Sequence, residues 1–196
     1  MARILFALLE VFCGAVVLLP VYFLLNKVVF HNGRKTALYF LFSCYLAAVW
    51  ALVGLPNVTY VRLELNLNAV PFLGMIGDLK NSILNVLLFV PLGFLLPVLW
   101  EKYRTWKKTV LFGLGMSLVI EVLQIFTFRA TDINDLITNV FGTFLGSALA
   151  GVLLNRVPGI RREERSGELV IVCGITFAVM FFAHPFLSGL MWKLIL

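Results

Sequence analysis

Six long apolar runs separated by short polar stretches set the pattern of this chain: residues 4–26, 37–56, 82–100, 109–128, 136–154 and 169–192. At about 1.5 Å of rise per residue, each is long enough to cross a hydrocarbon core of roughly 30 Å. Lipid offers no partner to backbone N–H and C=O groups, so such runs must fold as helices, and their unbroken apolarity is not the alternation of a transmembrane barrel. The pattern predicts an all-α, polytopic transmembrane helical bundle of about six helices, forming a single transmembrane domain over residues 1–196. One stretch breaks the rule. From Val61 to Asn68 apolar and polar residues alternate with period two, which predicts a short extended, strand-like segment near residues 60–68 in an outer loop. It is expected at the membrane interface or on the helix ends, or else as an edge that pairs with another chain.

Composition sharpens this reading. Of 196 residues, 61% are hydrophobic and 13% charged, against about half and about a quarter in a soluble domain. A soluble helical core is thereby excluded. Arg3 ahead of the first run suggests a signal peptide, but Glu10 interrupts the run and no A-x-A-type site follows, so the stretch reads as a mature helix. Cys13, Cys44 and Cys173 all fall inside apolar runs with no disulfide or metal-ligand spacing, and read as small packing residues.

Charge gives a direction. With the N-terminus outside, cytoplasmic loops carry Lys27, Arg34, Lys35, Lys102, Arg104, Lys107, Lys108, Arg156, Arg161, Arg162 and Arg165, eleven of the 16 Lys and Arg. The positive-inside rule then places both termini outside. The net charge of +6 reads as topology signals and contacts to anionic lipid head groups rather than as a nucleic-acid surface.

On that topology, the outer ends of the third, fourth and fifth runs bring polar residues to one depth: Asp78, Asn81 and Asn85; Ser117, Glu121, Gln124 and Arg129; Asp132, Asp135 and Asn139. Asn81 and Asn85, Glu121 and Gln124, and Asp135 and Asn139 are three or four apart, so each pair shares a helix face. Glu121 lies about 10 Å inside its helix from Phe128 and needs a buried partner or protonation. Arg129 has a planar fork that could bridge two of the three acids near it in sequence. This constellation is expected to be a pocket open to the outer leaflet, or a network that only pins three helices together. Glu10 would join it from the same side, while His31 and His184 read as interfacial or packing histidines. Asp78 and Asn81 also suit the cap of the third helix, and Pro91, Pro97 and Pro185 permit kinks. Gly142-x-x-x-Gly146, continued by Ala150, makes a small-residue stripe for close packing, within the chain or in a homo-oligomer.

The ordered blocks Asn68-Ala-Val-Pro71-Phe72, Asn85-x-x-x-Phe89-x-Pro91-Leu92-Gly93, Ser117-x-x-x-Glu121-x-x-Gln124 and Arg129-x-x-Asp132-x-x-Asp135-x-x-x-Asn139-x-x-Gly142-x-x-x-Gly146 resemble the VanZ-like membrane proteins. The resemblance covers about residues 66–154 and departs at Thr131, where the family more often has a bulky apolar residue. It implies a multi-pass protein of the bacterial cell membrane, linked in its namesake to low-level resistance to teicoplanin and related lipoglycopeptides, and it implies no mechanism. Three functions are weighed on it. In the first, the outer-leaflet site engages a lipid, a lipid-linked cell-wall precursor or the antibiotic itself. The second is an integral membrane enzyme acting on a phospholipid or polyprenyl-linked envelope substrate, with Glu121 or Asp135 as general base, Arg129 on a phosphate, and room for Mg²⁺ or Ca²⁺ among the acids. The third, a transporter, gains little from six runs without internal repeats. With no Ser-His-Asp order, H-E-x-x-H or P-loop in the chain, no catalytic residue, cofactor or metal is assigned, and a non-enzymatic role is preferred.

Overall fold

A computed structural model of the chain describes residues 2–63, 67–68, 70, 72, 78–127, 131–156 and 167–195. Its class is all-α, as the apolar runs require. Seven α-helices cover most of these residues: α1 (Ala2–Leu25), α2 (Gly33–Val53), α3 (Leu79–Leu99), α4 (Trp106–Gln124), α5 (Ile133–Arg156), α6 (Glu168–Ala178) and α7 (His184–Ile195). A π-helical turn, Asn26–Phe30, extends α1, and another, Val179–Ala183, joins α6 to α7, so that the last apolar run is one interrupted span. Among the described residues, five spans are long and apolar enough to cross a membrane: Ala7–Phe30, Gly33–Val53, Leu79–Leu99, Ile133–Arg156 and Glu168–Leu194. The sixth expected run is α4. Its 19 residues rise about 28 Å, but it carries Lys107, Lys108 and Glu121.

The chain forms two compact units, Met1–Val61 with Arg165–Leu196, and Arg62–Glu164. The first contains α1, α2, α6 and α7. Its core holds Leu18, Tyr22, Tyr39, Phe42 and Met180, with Phe30 set edge-on against Tyr39 and Trp50 against Phe177. Free thiols at Cys13, Cys44 and Cys173 pack here as the sequence suggested. Buried polar groups in this unit are paired. Glu168 accepts from Lys35 Nζ at 2.5 Å and from Tyr39 Oη at 2.8 Å, which clamps the start of α2 to the start of α6. Ser43 bonds Tyr22 at 2.5 Å and accepts from Thr176 at 2.7 Å. After α2, Val58 N–H donates to the Phe181 carbonyl of the second π-turn at 3.0 Å.

The second unit contains α3, α4 and α5, and close approach of α5 to its neighbours organises it. A Cβ on Gly142 or Gly146 would overlap the carbonyls of Val86 or Val90 on α3, and one on Gly93 of α3 would overlap the Thr143 carbonyl of α5. Backbone thus rests on backbone, which only glycine permits. On its other side Thr143 fills the space left by Gly113 of α4. The small-residue stripe is therefore packed within the chain, against α3.

The extended segment is present at two described residues. β1 (Leu67–Asn68) pairs in parallel with β2 (Thr131–Asp132), Leu67 opposite Thr131 and Asn68 opposite Asp132. The edge thus finds its partner inside the same unit.

Candidate polar site in the second unit

Helix α4 carries Ser117, Glu121 and Gln124 one turn apart along one side, and all three are buried. Residues spaced three and four apart lie one above the other on a helix, so the apolar remainder of α4 is free to face other surroundings. Opposite stand β2 and the first turns of α5. Ser117 accepts from Asn139 Nδ2 at 2.9 Å. One turn farther along α4, the Glu121 side-chain Oε2 accepts from Asp132 N–H at 3.0 Å, while its backbone carbonyl accepts from the Thr131 hydroxyl at 3.1 Å. The order of these contacts, later residues of α4 meeting earlier ones of the β2–α5 segment, makes the seam antiparallel.

The seam is supported from below. Asp132 Oδ1 accepts from Asn134 N–H at 2.8 Å, a local turn that starts α5. Asn134, itself buried, accepts from Phe72 N–H at 2.7 Å and so ties Phe72, ahead of α3, to the start of α5. Farther along α5, Thr138 and Thr143 turn their hydroxyls back onto the helix's own carbonyls. Thr138 is donating to Asn134, and Thr143 to Asn139.

Two oxygens in the seam remain without partners among the described residues: Gln124 Oε1 and Asn139 Oδ1. The side chains that carry them are only 3% and 4% exposed. A buried amide oxygen with no donor costs about 1–3 kcal/mol, and such sites normally hold a water or a ligand group. The two open oxygens, one on α4 and one on α5, are acceptors suited to a group that donates N–H or O–H bonds.

The structure treats the ten residues singled out in the sequence differently. Ser117, Glu121, Asp132 and Asn139 are joined by hydrogen bonds along the seam, and Gln124 is buried on the same side of α4. Asp135 occupies the first turn of α5, half-buried, where its carboxylate favours the helix dipole. Asp78 and Asn81 form the exposed cap of α3: Asp78 accepts from the Asn81 backbone at 3.4 Å and from its side chain at 2.5 Å. Asn85 is half-buried, and its side chain makes no hydrogen bond among the described residues. Arg129 lies outside the described residues.

Sequence spacing did not signal Asn134, because its role depends on a loop far away in the chain. Nor did it pair Glu10 with His184, whose Nε2 lies 2.8 Å from Glu10 Oε2 in the first unit, with Trp192 Nε1 donating to Oε1 at 3.2 Å. His184, itself buried, is thus a polar neighbour of Glu10, and the last helix holds the Glu10 side chain through both His184 and Trp192. The available clue was that both are titratable groups placed within apolar runs.

A model of the VanZ/LLP1 family matches residues 6–154 of the chain. The match takes in α1 and α2 as well as the motif blocks. Protein VanZ of Enterococcus faecium is 37% identical over 120 residues, which cover 61% of this chain and 71% of that protein. No solved structure matches.

Proposed function

Because this chain of membrane-crossing helices belongs to the VanZ/LLP1 family, we propose that it acts in the bacterial cell membrane to lower susceptibility to teicoplanin and related lipoglycopeptides. The polar seam of α4 and α5 engages the polar part of a lipid, of a lipid-linked cell-wall precursor, or of the antibiotic itself. In the orientation argued from the loop charges, with both termini outside, this seam faces the outer leaflet, where such ligands are met.

The observation that carries this reading is the pair of partnerless oxygens, Gln124 Oε1 and Asn139 Oδ1, in the same unit as the buried carboxylate of Glu121. A network that only pinned helices together would be closed on itself. This one leaves acceptors open at positions that burial makes costly, and intramembrane ionisable residues mark functional sites by default. The resistance reading is tested by expressing Glu121→Gln and Asn139→Leu in a susceptible host challenged with teicoplanin. At membrane abundance equal to that of the parent, both variants are expected to lose the protection that the parent confers. Protection equal to the parent's would contradict the seam as the functional site.

A further inference from the structure

The first unit holds a separate concave surface between α1 and α2. Leu19, Phe23 and Phe40 form its apolar walls, and Asn26 and Thr36 line one end, which Gly33 leaves open because a Cβ there would meet nothing within 4 Å. From Leu19 to Asn26 the groove runs about 10 Å along the helix. Thr36 donates to Asn26 Oδ1 at 2.8 Å, which turns the Asn26 amide so that its Nδ2 is left as a donor without an acceptor among the described residues. Two cations stand at the same end. Lys27 Nζ lies 4.7 Å above the ring of Phe23, a wall of the groove, and Arg34 follows Gly33 directly. Both are exposed, and neither has a carboxylate partner among the described residues. The nearby Lys35 differs, since its charge is matched by buried Glu168.

We infer that this groove is a binding site for one anionic phospholipid, its acyl chain laid along Leu19, Phe23 and Phe40 and its phosphate held by Lys27, Arg34 and the Asn26 amide. The helices on both sides cross the membrane, so an acyl chain is the occupant that reaches the groove without leaving the bilayer. Charge selects among lipids. A zwitterionic head group would bring its own ammonium toward two unmatched cations, whereas an anionic one neutralises them. The site is distinct from the polar seam of α4 and α5 and does not depend on its function.

Native mass spectrometry of the full chain, released from nanodiscs of mixed phosphatidylglycerol and phosphatidylcholine, tests the assignment. The parent is expected to retain one phosphatidylglycerol in preference to phosphatidylcholine. Lys27→Ala with Arg34→Ala should lower that preference about tenfold or more, on the order expected for two basic residues at an anionic surface. Gly33→Leu and Ala37→Phe, which fill the groove but keep both charges, should each displace the lipid, with helicity by circular dichroism unchanged. The control pair Lys102→Ala with Lys107→Ala removes the same charge elsewhere and should leave retention as in the parent. Retention untouched by the groove-filling variants would mean a diffuse surface layer and overturn the site. So would an equal loss in the control pair.

Discussion

Glu121 shows how much a single side chain can be asked to do inside a helix. It is buried, it accepts the backbone N–H of Asp132, and its own carbonyl accepts the Thr131 hydroxyl. Replacing it by Ala removes the acceptor of Asp132 and is expected to lower stability by about 1–3 kcal/mol, read as a lower midpoint of thermal unfolding in detergent. Glu121→Gln keeps an acceptor oxygen and should cost less. An equal loss for Gln and Ala would show that the charge, rather than the bond, holds the seam. Much of this site was legible in the sequence. The spacing of Ser117, Glu121 and Gln124 put them on one side of α4, and the depth of Glu121 called for a buried partner or protonation. The partner's identity was not legible, because it is a backbone N–H, which every residue supplies alike. For the same reason the capping of α3 by Asp78 could be foreseen locally, while the grip of Asn134 on Phe72 could not.

The helices themselves were read closely, since apolar runs of this length have one folding solution in lipid. Ends differ by a few residues, as helix ends do. The two π-helical turns left no mark in the hydrophobic pattern, because one extra residue in a turn changes neither length nor apolarity. The parallel β1–β2 pair was half legible: alternation announced the extended segment, but only the fold brings Thr131 and Asp132 to it. The contact of α5 with α3 rests on glycine. Gly146→Ala and Gly93→Ala are each expected to destabilise by about 1–3 kcal/mol or more through overpacking, measured by thermal unfolding. Gly151→Ala, with nothing near its Cβ, should be tolerated. Equal midpoints for all three would mean that α5 does not press on α3. The clamp of α2 to α6 behaves differently. Glu168 is 2% exposed, so Lys35→Ala strands a buried charge and should cost about 3–5 kcal/mol, whereas the Lys35→Met, Glu168→Leu pair, which removes both charges, should recover most of that loss.

The whole chain is a membrane protein of the VanZ/LLP1 family, and its loop charges carry an orientation that geometry alone does not. Read from the sequence, eleven of the 16 Lys and Arg fall in the connections and helix ends of one side, which predicts both termini outside. Single cysteines placed at residue 2, at residue 104 and at residue 195, in a chain freed of its three native cysteines, test this with a membrane-impermeant thiol reagent on intact cells. Residues 2 and 195 should label and residue 104 should not; the reverse pattern would place the polar seam at the inner leaflet. On the proposed function, activity at the level of the molecule depends on the unmatched oxygens. In Gln124→Met the partnerless carbonyl is replaced by an apolar side chain of similar length, which should leave thermal stability unchanged or raise it. The decisive measurement is teicoplanin susceptibility of cells carrying Gln124→Met, with membrane abundance and unfolding midpoint recorded on the same samples. Protection lost while stability is kept or raised is the expected result, and protection kept with the oxygen gone would contradict a ligand site in the α4–α5 seam.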